Sequence, residues 1–277
     1  MKYIQDKVII VTGAGSGFGR LTASKAAELG AKVVCVDVNE AALDEVVGSI
    51  VEAGGGAISS VADVRQVDEI RSSVNAAIAK FGKVDVLVNN AGTMPLAFIR
   101  DHAVALDAWN KCIDINFKGV MNGTAAVYDQ MMKQGAGQIV NVSSIYGNHP
   151  VIGASIYGAT KAAVNYFSNS VRHESRGKIK VSVIKPTGVP ATGLANSVVN
   201  PEGVVGILGQ NALEFQEFVQ KLMTGQAPAA ALNPAEIGYA ALDPSFIADA
   251  IIHVINQPLG VTLSDVTVRA TGDHYIL

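Results

Sequence analysis

Cysteine, histidine and tryptophan are scarce in this chain, which carries two, five and one of them among 277 residues. Cys35 lies inside the apolar run 32–38 and Cys112 inside a helical pattern. Two thiols cannot build a disulfide framework, and neither has a metal-ligand spacing to a histidine, so both read as buried structural thiols. The histidines are too dispersed for a dedicated metal site. Charge is thin as well: 16% of residues are charged, the net charge is −3, and the basic residues are scattered. That distribution offers no basic stripe for nucleic acid. No uninterrupted apolar run reaches the ~18 residues of a membrane span. The first residues, MKYIQDK, lead straight into a strand pattern. They leave no room for a signal peptide, and a cytoplasmic protein is expected.

What is abundant is apolar surface, 49% of residues, enough for a large buried core. Short β-rich runs at 7–12, 32–38, 57–62, 84–88, 137–142, 178–184 and within 261–268 alternate with helical patterns. Such alternation predicts an α/β fold, a three-layer doubly wound sheet of about seven mostly parallel strands with right-handed crossovers. No repeat, linker or second domain interrupts it, so residues 1–277 are expected to form one domain of Rossmann type. After the first run come glycines at 13, 15, 17 and 19, then a helix ended by Gly30. Small residues between a strand and a helix let backbone N–H groups approach a pyrophosphate. The second run ends in Asp37, twenty residues beyond Gly17, where a carboxylate can accept both ribose hydroxyls of adenosine. A cap or turn role is the alternative for Asp37, and Asn39 is a second candidate to cap the next helix.

Tyr157 and Lys161 stand four apart in a segment with helical periodicity, so they share one helix face. A cation beside a phenol favours the phenolate and brings it nearer a useful acid/base range. Ser144 lies thirteen residues before Tyr157, at the end of the fifth β-rich run, where its hydroxyl can bond a substrate oxygen. Alone, such a pair also fits a solvated helix.

Its company removes that ambiguity. The ordered set Thr12-Gly13-Ala14-Gly15-Ser16-Gly17-Phe18-Gly19, Asp63-Val64, Asn89-Asn90-Ala91-Gly92, Asn116, and Ser144 with Tyr157 and Lys161 resembles the short-chain dehydrogenase/reductase family, in its single-domain branch of about 250 residues. The resemblance runs from Lys7 to about Lys185 and more loosely beyond. It implies catalytic roles for Asn116, Ser144, Tyr157 and Lys161, with Asn116 distorting its helix and holding a water linked to Lys161. It implies a dinucleotide held by Gly13, Ser16, Gly17, Phe18, Gly19, Asp37, Asp63, Val64, Asn90, Tyr157, Lys161 and Val189, with Asp63 and Val64 along the adenine. Ser16 stands where NADP users of the family often carry a basic residue, and Asn39-Glu40 offers no cation, so NAD is the expected cofactor. The family's P-G-x-V-x-T segment is here Pro186-Thr187-Gly188-Val189-Pro190-Ala191-Thr192. That leaves open whether Thr187 or Thr192 approaches the diphosphate.

The implied function is an NAD-dependent alcohol dehydrogenase or ketoreductase acting on a secondary alcohol or ketone. A non-catalytic NAD sensor of the same fold and an NAD-using epimerase or dehydratase are the alternatives. Met94, Pro95, Leu96, Ile145, Tyr146, Val151, Val189 and Leu194 are expected around the reacting carbon, with Asn148 and His149 as the polar pair near them. An apolar or moderately polar substrate fits better than a carboxylate or phosphate, for which Arg100 is the one candidate clamp. Residues 187–242 are long, poor in strand signals and expected to cover the substrate, with an amphipathic helix at 213–223. The apolar tail Tyr275-Ile276-Leu277 is expected to bury against a neighbouring subunit. The resemblance further implies a homo-oligomer, a tetramer or dimer, with helices around Asn116 and Tyr157 at one interface.

Overall fold

The computed structural model describes residues 2–189 and 193–276. Seven parallel strands form one sheet in the order β3-β2-β1-β4-β5-β6-β7. They are β1 (Val8–Thr12), β2 (Lys32–Asp37), β3 (Gly56–Val61), β4 (Val86–Asn89), β5 (Gly137–Val142), β6 (Ile179–Pro186) and β7 (Asp265–Val268). The helices between them are α1 (Gly17–Glu28), α2 (Glu40–Glu52), α3 (Val67–Phe81), α4 (His102–Ile113), α5 (Gly119–Gln134) and α6 (Ser155–Glu174). Between β6 and β7 lie α7 (Glu202–Leu208), α8 (Ala212–Met223), α9 (Ala229–Leu232) and α10 (Ser245–Ile255). Among the described residues no helix is long and apolar enough to cross a membrane.

The period of two along each strand divides the core. Ile9 and Val11 of β1 face one layer, with Ala23 and Ala26 of α1 and Ile251 of α10. Val8 and Ile10 face the other, with Ile70 and Val74 of α3 and Met131 of α5. Both faces of β1 are covered, which is why it reads as an unbroken apolar run. A third cluster lies above the carboxyl ends of the strands and joins Leu96, Cys112, Tyr146 and Tyr157 to Ile207 and Leu208 of α7.

The chain runs from β1 outward through β2 to β3, then returns to place β4 on the other side of β1. Ligand crevices open at such a reversal, outside the carboxyl ends of the strands. One hydroxyl fastens it: Thr12 Oγ1 accepts from the backbone N–H of Asn90 at 3.0 Å and of Ala91 at 3.2 Å. It donates to the Val88 carbonyl. Thr12→Val keeps the shape but strands those amides, and an unmet buried donor costs about 1–3 kcal/mol. The variant is expected to lose stability by that amount, read as a Tm lower by several degrees. An unchanged Tm would show that Thr12 does not hold the crevice.

Candidate active site

A cavity of about 640 Å³ occupies the crevice, walled by the glycine-rich loop, the ends of β2, β4, β5 and β6, and the helices α7 and α8. The expected cofactor residues Gly13, Ser16, Gly17, Phe18, Asp37, Asp63, Val64, Asn90, Tyr157, Lys161 and Val189 all line it. Gly19 does not. It stands behind the loop, where a Cβ would collide with the Gly13 carbonyl oxygen and come within 2.6 Å of Asn90 Nδ2. Gly13 turns the chain with φ +66°, a conformation open to glycine at little cost.

Asn90 acts from within the protein, donating through Nδ2 to the carbonyls of Thr12 at 2.9 Å and Gly13 at 3.3 Å. Asp37 reaches the loop from the other side and accepts from Gly15 N at 2.9 Å and Asn39 N at 3.1 Å. Asn39 caps α2 through Ala42 N. Ser16 precedes α1 without a side-chain cap, and the space over Gly17 is open within 4 Å of a Cβ position. The first amides of α1 therefore have room for an anion, as a dinucleotide pyrophosphate requires. Asp63 is held by Arg65, whose Nε donates at 2.8 Å and 3.0 Å. That contact keeps the Asp63 carboxyl below its ordinary range.

Ser144 follows β5 and accepts from Tyr146 N at 3.2 Å. Tyr157 and Lys161 sit in the first two turns of α6, each 5% exposed. Lys161 Nζ lies 5.7 Å from the Tyr157 ring centroid and donates to the Val142 carbonyl at 2.9 Å. Ser144, Tyr157 and Lys161 share the cavity wall, whereas Asn116 stands behind it. Burial pushes the Tyr157 phenol up to about 12, and the Ser144 hydroxyl pulls against that rise. Burial brings Lys161 down to about 8. Against the lowering expected from Lys161, burial is the larger effect on the phenol. Desolvation dominates both groups, the ammonium is directed to a carbonyl, and the group that favours the phenolate is Ser144.

Between α4 and α5 the helix is broken by a π turn, Asp114–Lys118, in which Gly119 N bonds back to the Asp114 carbonyl. Asn116 is fully buried in this turn. Its Oδ1 accepts from Thr93 N at 2.9 Å, and its Nδ2 donates to the Thr93 carbonyl at 2.9 Å and to Thr160 Oγ1 at 3.2 Å. Asn116 thus ties the turn after β4 to the helix that carries Tyr157.

Several expectations for the substrate side change. Met94, Leu96, Tyr146, Val189 and Leu194 line the cavity, but Pro95, Ile145 and Val151 do not. Asn148 and His149 are exposed, outside it. Arg100 is no clamp: it pairs with Glu202 at 2.8 Å and lies over the Phe98 ring. Thr187 is buried but off the cavity wall, and Thr192 lies outside the described residues. Phe215 and Val219 of α8, Ile207 of α7, and Tyr275 join the lining unforeseen.

Of the tail, Tyr275 packs within its own chain, Ile276 is exposed, and Leu277 lies outside the described residues. Asn211 Nδ2 donates to the His274 carbonyl at 3.0 Å, His274 stacks on Phe218, and Tyr275 meets Phe215 edge-on. The Tyr275 ring occupies the space a Cβ on Gly188 would need.

These features agree with three comparisons. The sequence pattern described as short chain dehydrogenase matches residues 7–203. An uncharacterized oxidoreductase of Listeria monocytogenes is 32% identical over 275 residues, 98% of this chain and 99% of the relative. A short chain dehydrogenase/reductase from Burkholderia phymatum, solved in complex with NAD, has TM-score 0.75 and 28% identity, covering 96% of this chain and 90% of its own. A point variant of actinorhodin polyketide ketoreductase with NADPH has TM-score 0.77 and 28% identity, covering 99% of this chain and 100% of its own. The chain belongs to the short-chain dehydrogenase/reductase family, a family of oxidoreductases.

Gly188→Ala tests the seat of the tail. With φ +59° at Gly188, a left-handed alanine costs roughly 1–2 kcal/mol and the clash with Tyr275 a further 1–3 kcal/mol or so. In a Tyr275→Ala background only the first part should remain, so denaturant unfolding of the four proteins should show a coupling of about 1–3 kcal/mol. Additive losses would place the tail elsewhere.

Proposed function

We propose that this protein is an NAD(H)-dependent oxidoreductase that interconverts a neutral secondary alcohol and its ketone, with Tyr157 as acid/base. The observation that carries this is the meeting of Ser144, Tyr157 and Lys161 on one wall of a cavity whose other end is bounded by the glycine-rich loop and Asp37. The bound dinucleotide would supply or accept the hydride. In the oxidative direction Tyr157 Oη takes the hydroxyl proton, and in the reductive direction it returns one. Ser144 Oγ steadies the substrate oxygen and favours the phenolate. Lys161 Nζ holds positive charge beside the phenol and would bind the nicotinamide ribose of a bound dinucleotide. Asn116 positions α6 and supports the proton route to Lys161.

The cofactor preference rests on Asp37. Its carboxylate can accept from both adenosine ribose hydroxyls, whereas a 2′-phosphate removes one donor and brings a like charge. One such charge pair at ~4 Å and an effective dielectric of ~20 costs about 4 kcal/mol before screening. Of the cations nearby, Arg20 is paired with Glu45 and Arg65 with Asp63. Among similar structures one holds NAD and another NADPH. Lys161 is the one Lys or Arg on the cavity wall among the described residues, which favours a neutral substrate over a carboxylate or phosphate. The segment 187–242, with α7 and α8 on the wall, is assigned as the substrate cover of a single catalytic domain. Val104, Met121 and Tyr166 remain exposed on α4, α5 and α6, which supports the homo-oligomer that the resemblance implies.

NADH should exceed NADPH by at least about a hundredfold in kcat/KM, equivalent to ~2.7 kcal/mol. Asp37→Ser with Val38→Arg should narrow or reverse the ratio. Val38 is 65% exposed and lines the cavity, so a guanidinium there spares the Asn39 cap. Equal use of both cofactors by the wild type would place Asp37 away from the ribose. Tyr157→Phe should keep cofactor binding and lose roughly 10²–10⁴-fold in turnover of a ketone panel followed by NADH absorbance. More than about a tenth of wild-type kcat would remove Tyr157 from the proton transfer. Ser144→Ala removes the hydroxyl that lowers the phenol pKa. The oxidative rate, which needs the phenolate, should then begin its rise at higher pH. A limb that stays in place or moves to lower pH would contradict the Ser144 role.

A further inference from the structure

Among the described residues six buried side-chain polar atoms have no hydrogen-bond partner, those of Thr22, Thr124, Tyr146, Asn165, Ser182 and Thr187, and of these residues Tyr146 alone lines the cavity. Tyr146 stands two residues after Ser144, its ring edge-on to Tyr157 with centroids 6.5 Å apart. The residue is 6% exposed and on the cavity wall. Its hydroxyl is buried with no hydrogen-bond partner among the described residues. Around it the cavity is apolar, with Met94, Leu96, Ile207 and Phe215 on the wall, and Tyr275 closes the same chamber. Burial pushes the Tyr146 phenol well above its ordinary value, and the neighbouring Tyr275 and Tyr157 phenols add to the rise. It therefore stays protonated and has a proton to donate. A buried donor in an apolar wall is costly unless something occupies it, and phenylalanine would fill the same volume without that cost.

We propose that Tyr146 Oη is a second substrate contact, which donates to a neutral oxygen a few bonds from the carbon that reacts. The preferred substrates are then compact oxygenated ketones, such as diketones or hydroxyketones, and the alcohols they yield. Plain hydrocarbon ketones fit the chamber but leave the hydroxyl unmet. An anionic oxygen is disfavoured because, among the described residues, no Lys or Arg of the wall other than Lys161 accompanies Tyr146. The inference rests on the oxidoreductase reading above and adds the substrate class to it.

The test uses cyclohexanone, cyclohexane-1,4-dione and 2-hydroxycyclohexanone with the intact protein and its Tyr146→Phe variant. The wild type should favour at least one oxygenated ketone over cyclohexanone by about tenfold or more in kcat/KM, as a site built around a hydrogen bond rejects the analogue lacking it. Tyr146→Phe should erase that ratio, mainly through a higher KM for the oxygenated ketones, while NADH affinity changes less than about threefold. Its Tm should stay level or rise, because a structural hydrogen bond would lower it when removed. Binding of the same ketones to the protein with NAD⁺ reads the ratio without turnover. Retained binding discrimination that Tyr146→Phe erases, in a protein that reduces none of the three, would sink the oxidoreductase reading and keep the Tyr146 assignment. No wild-type preference for either oxygenated ketone, an equal ratio in both proteins, or a weakened NADH affinity in the variant would overturn the assignment.

Discussion

An ammonium and a phenol held out of water on adjacent turns of α6 set the terms for the rest of this structure. Neither Lys161 nor Tyr157 is more than 5% exposed, and an unpaired buried charge is among the costliest features a fold can carry. Among the described residues no carboxylate pairs with Lys161. It is met by the Val142 carbonyl at the end of β5, and the same strand end delivers Ser143, whose Oγ donates to the Lys161 carbonyl. Gly147 lets the turn after Ser144 lie against α6, since a Cβ there would approach the Lys161 carbonyl carbon to 2.7 Å. From the other side Asn116 joins α6 to the turn after β4 through Thr160 and Thr93. Desolvation thus shifts both groups, and the surrounding carbonyls and hydroxyls keep them in place.

The sheet was legible in the sequence because strands covered on both faces leave continuous apolar runs, closed by glycines such as Gly30 and Gly82 that end the helices. Most of the site was legible for a different reason. Ser144, Tyr157, Lys161 and the glycine-rich loop act through local spacing, and the ends of β1, β2, β4 and β5 converge wherever a doubly wound sheet reverses. Asn116 was marked by the resemblance, which implies a distortion of its helix, and the π turn sits around it.

The chamber's cover was only partly legible: the amphipathic pattern at 213–223 forms α8, but α7 left no such mark. The stretch EGVVGIL of α7 mixes two glycines with β-branched residues, a weak helix by propensity. It is helical in context: Gly203 fits against Leu96 and Gly153, and Gly206 against the Ile152 carbonyl, contacts that no local pattern reveals. The seat of Tyr275 was hidden for the same reason: it packs on Gly188 and Phe215 of its own chain, far off in sequence, while Ile276 stays exposed. Arg100 stood near the cavity in sequence but was claimed by Glu202. Specificity here resides in long-range contacts, whereas the chemistry resides in short motifs.

The central claim is that hydride passes between a nicotinamide and a ketone carbon while Tyr157 handles only a proton. Transfer of label tests it most directly. With NADH deuterated at both hydrogens of its reactive carbon, and an accepted ketone such as cyclohexane-1,4-dione, mass spectrometry of the isolated alcohol should find one deuterium on carbon per turnover. A Tyr157→Phe protein should form that product far more slowly. An alcohol without carbon-bound deuterium, or a substrate altered with no net oxidation of NADH, would contradict the account.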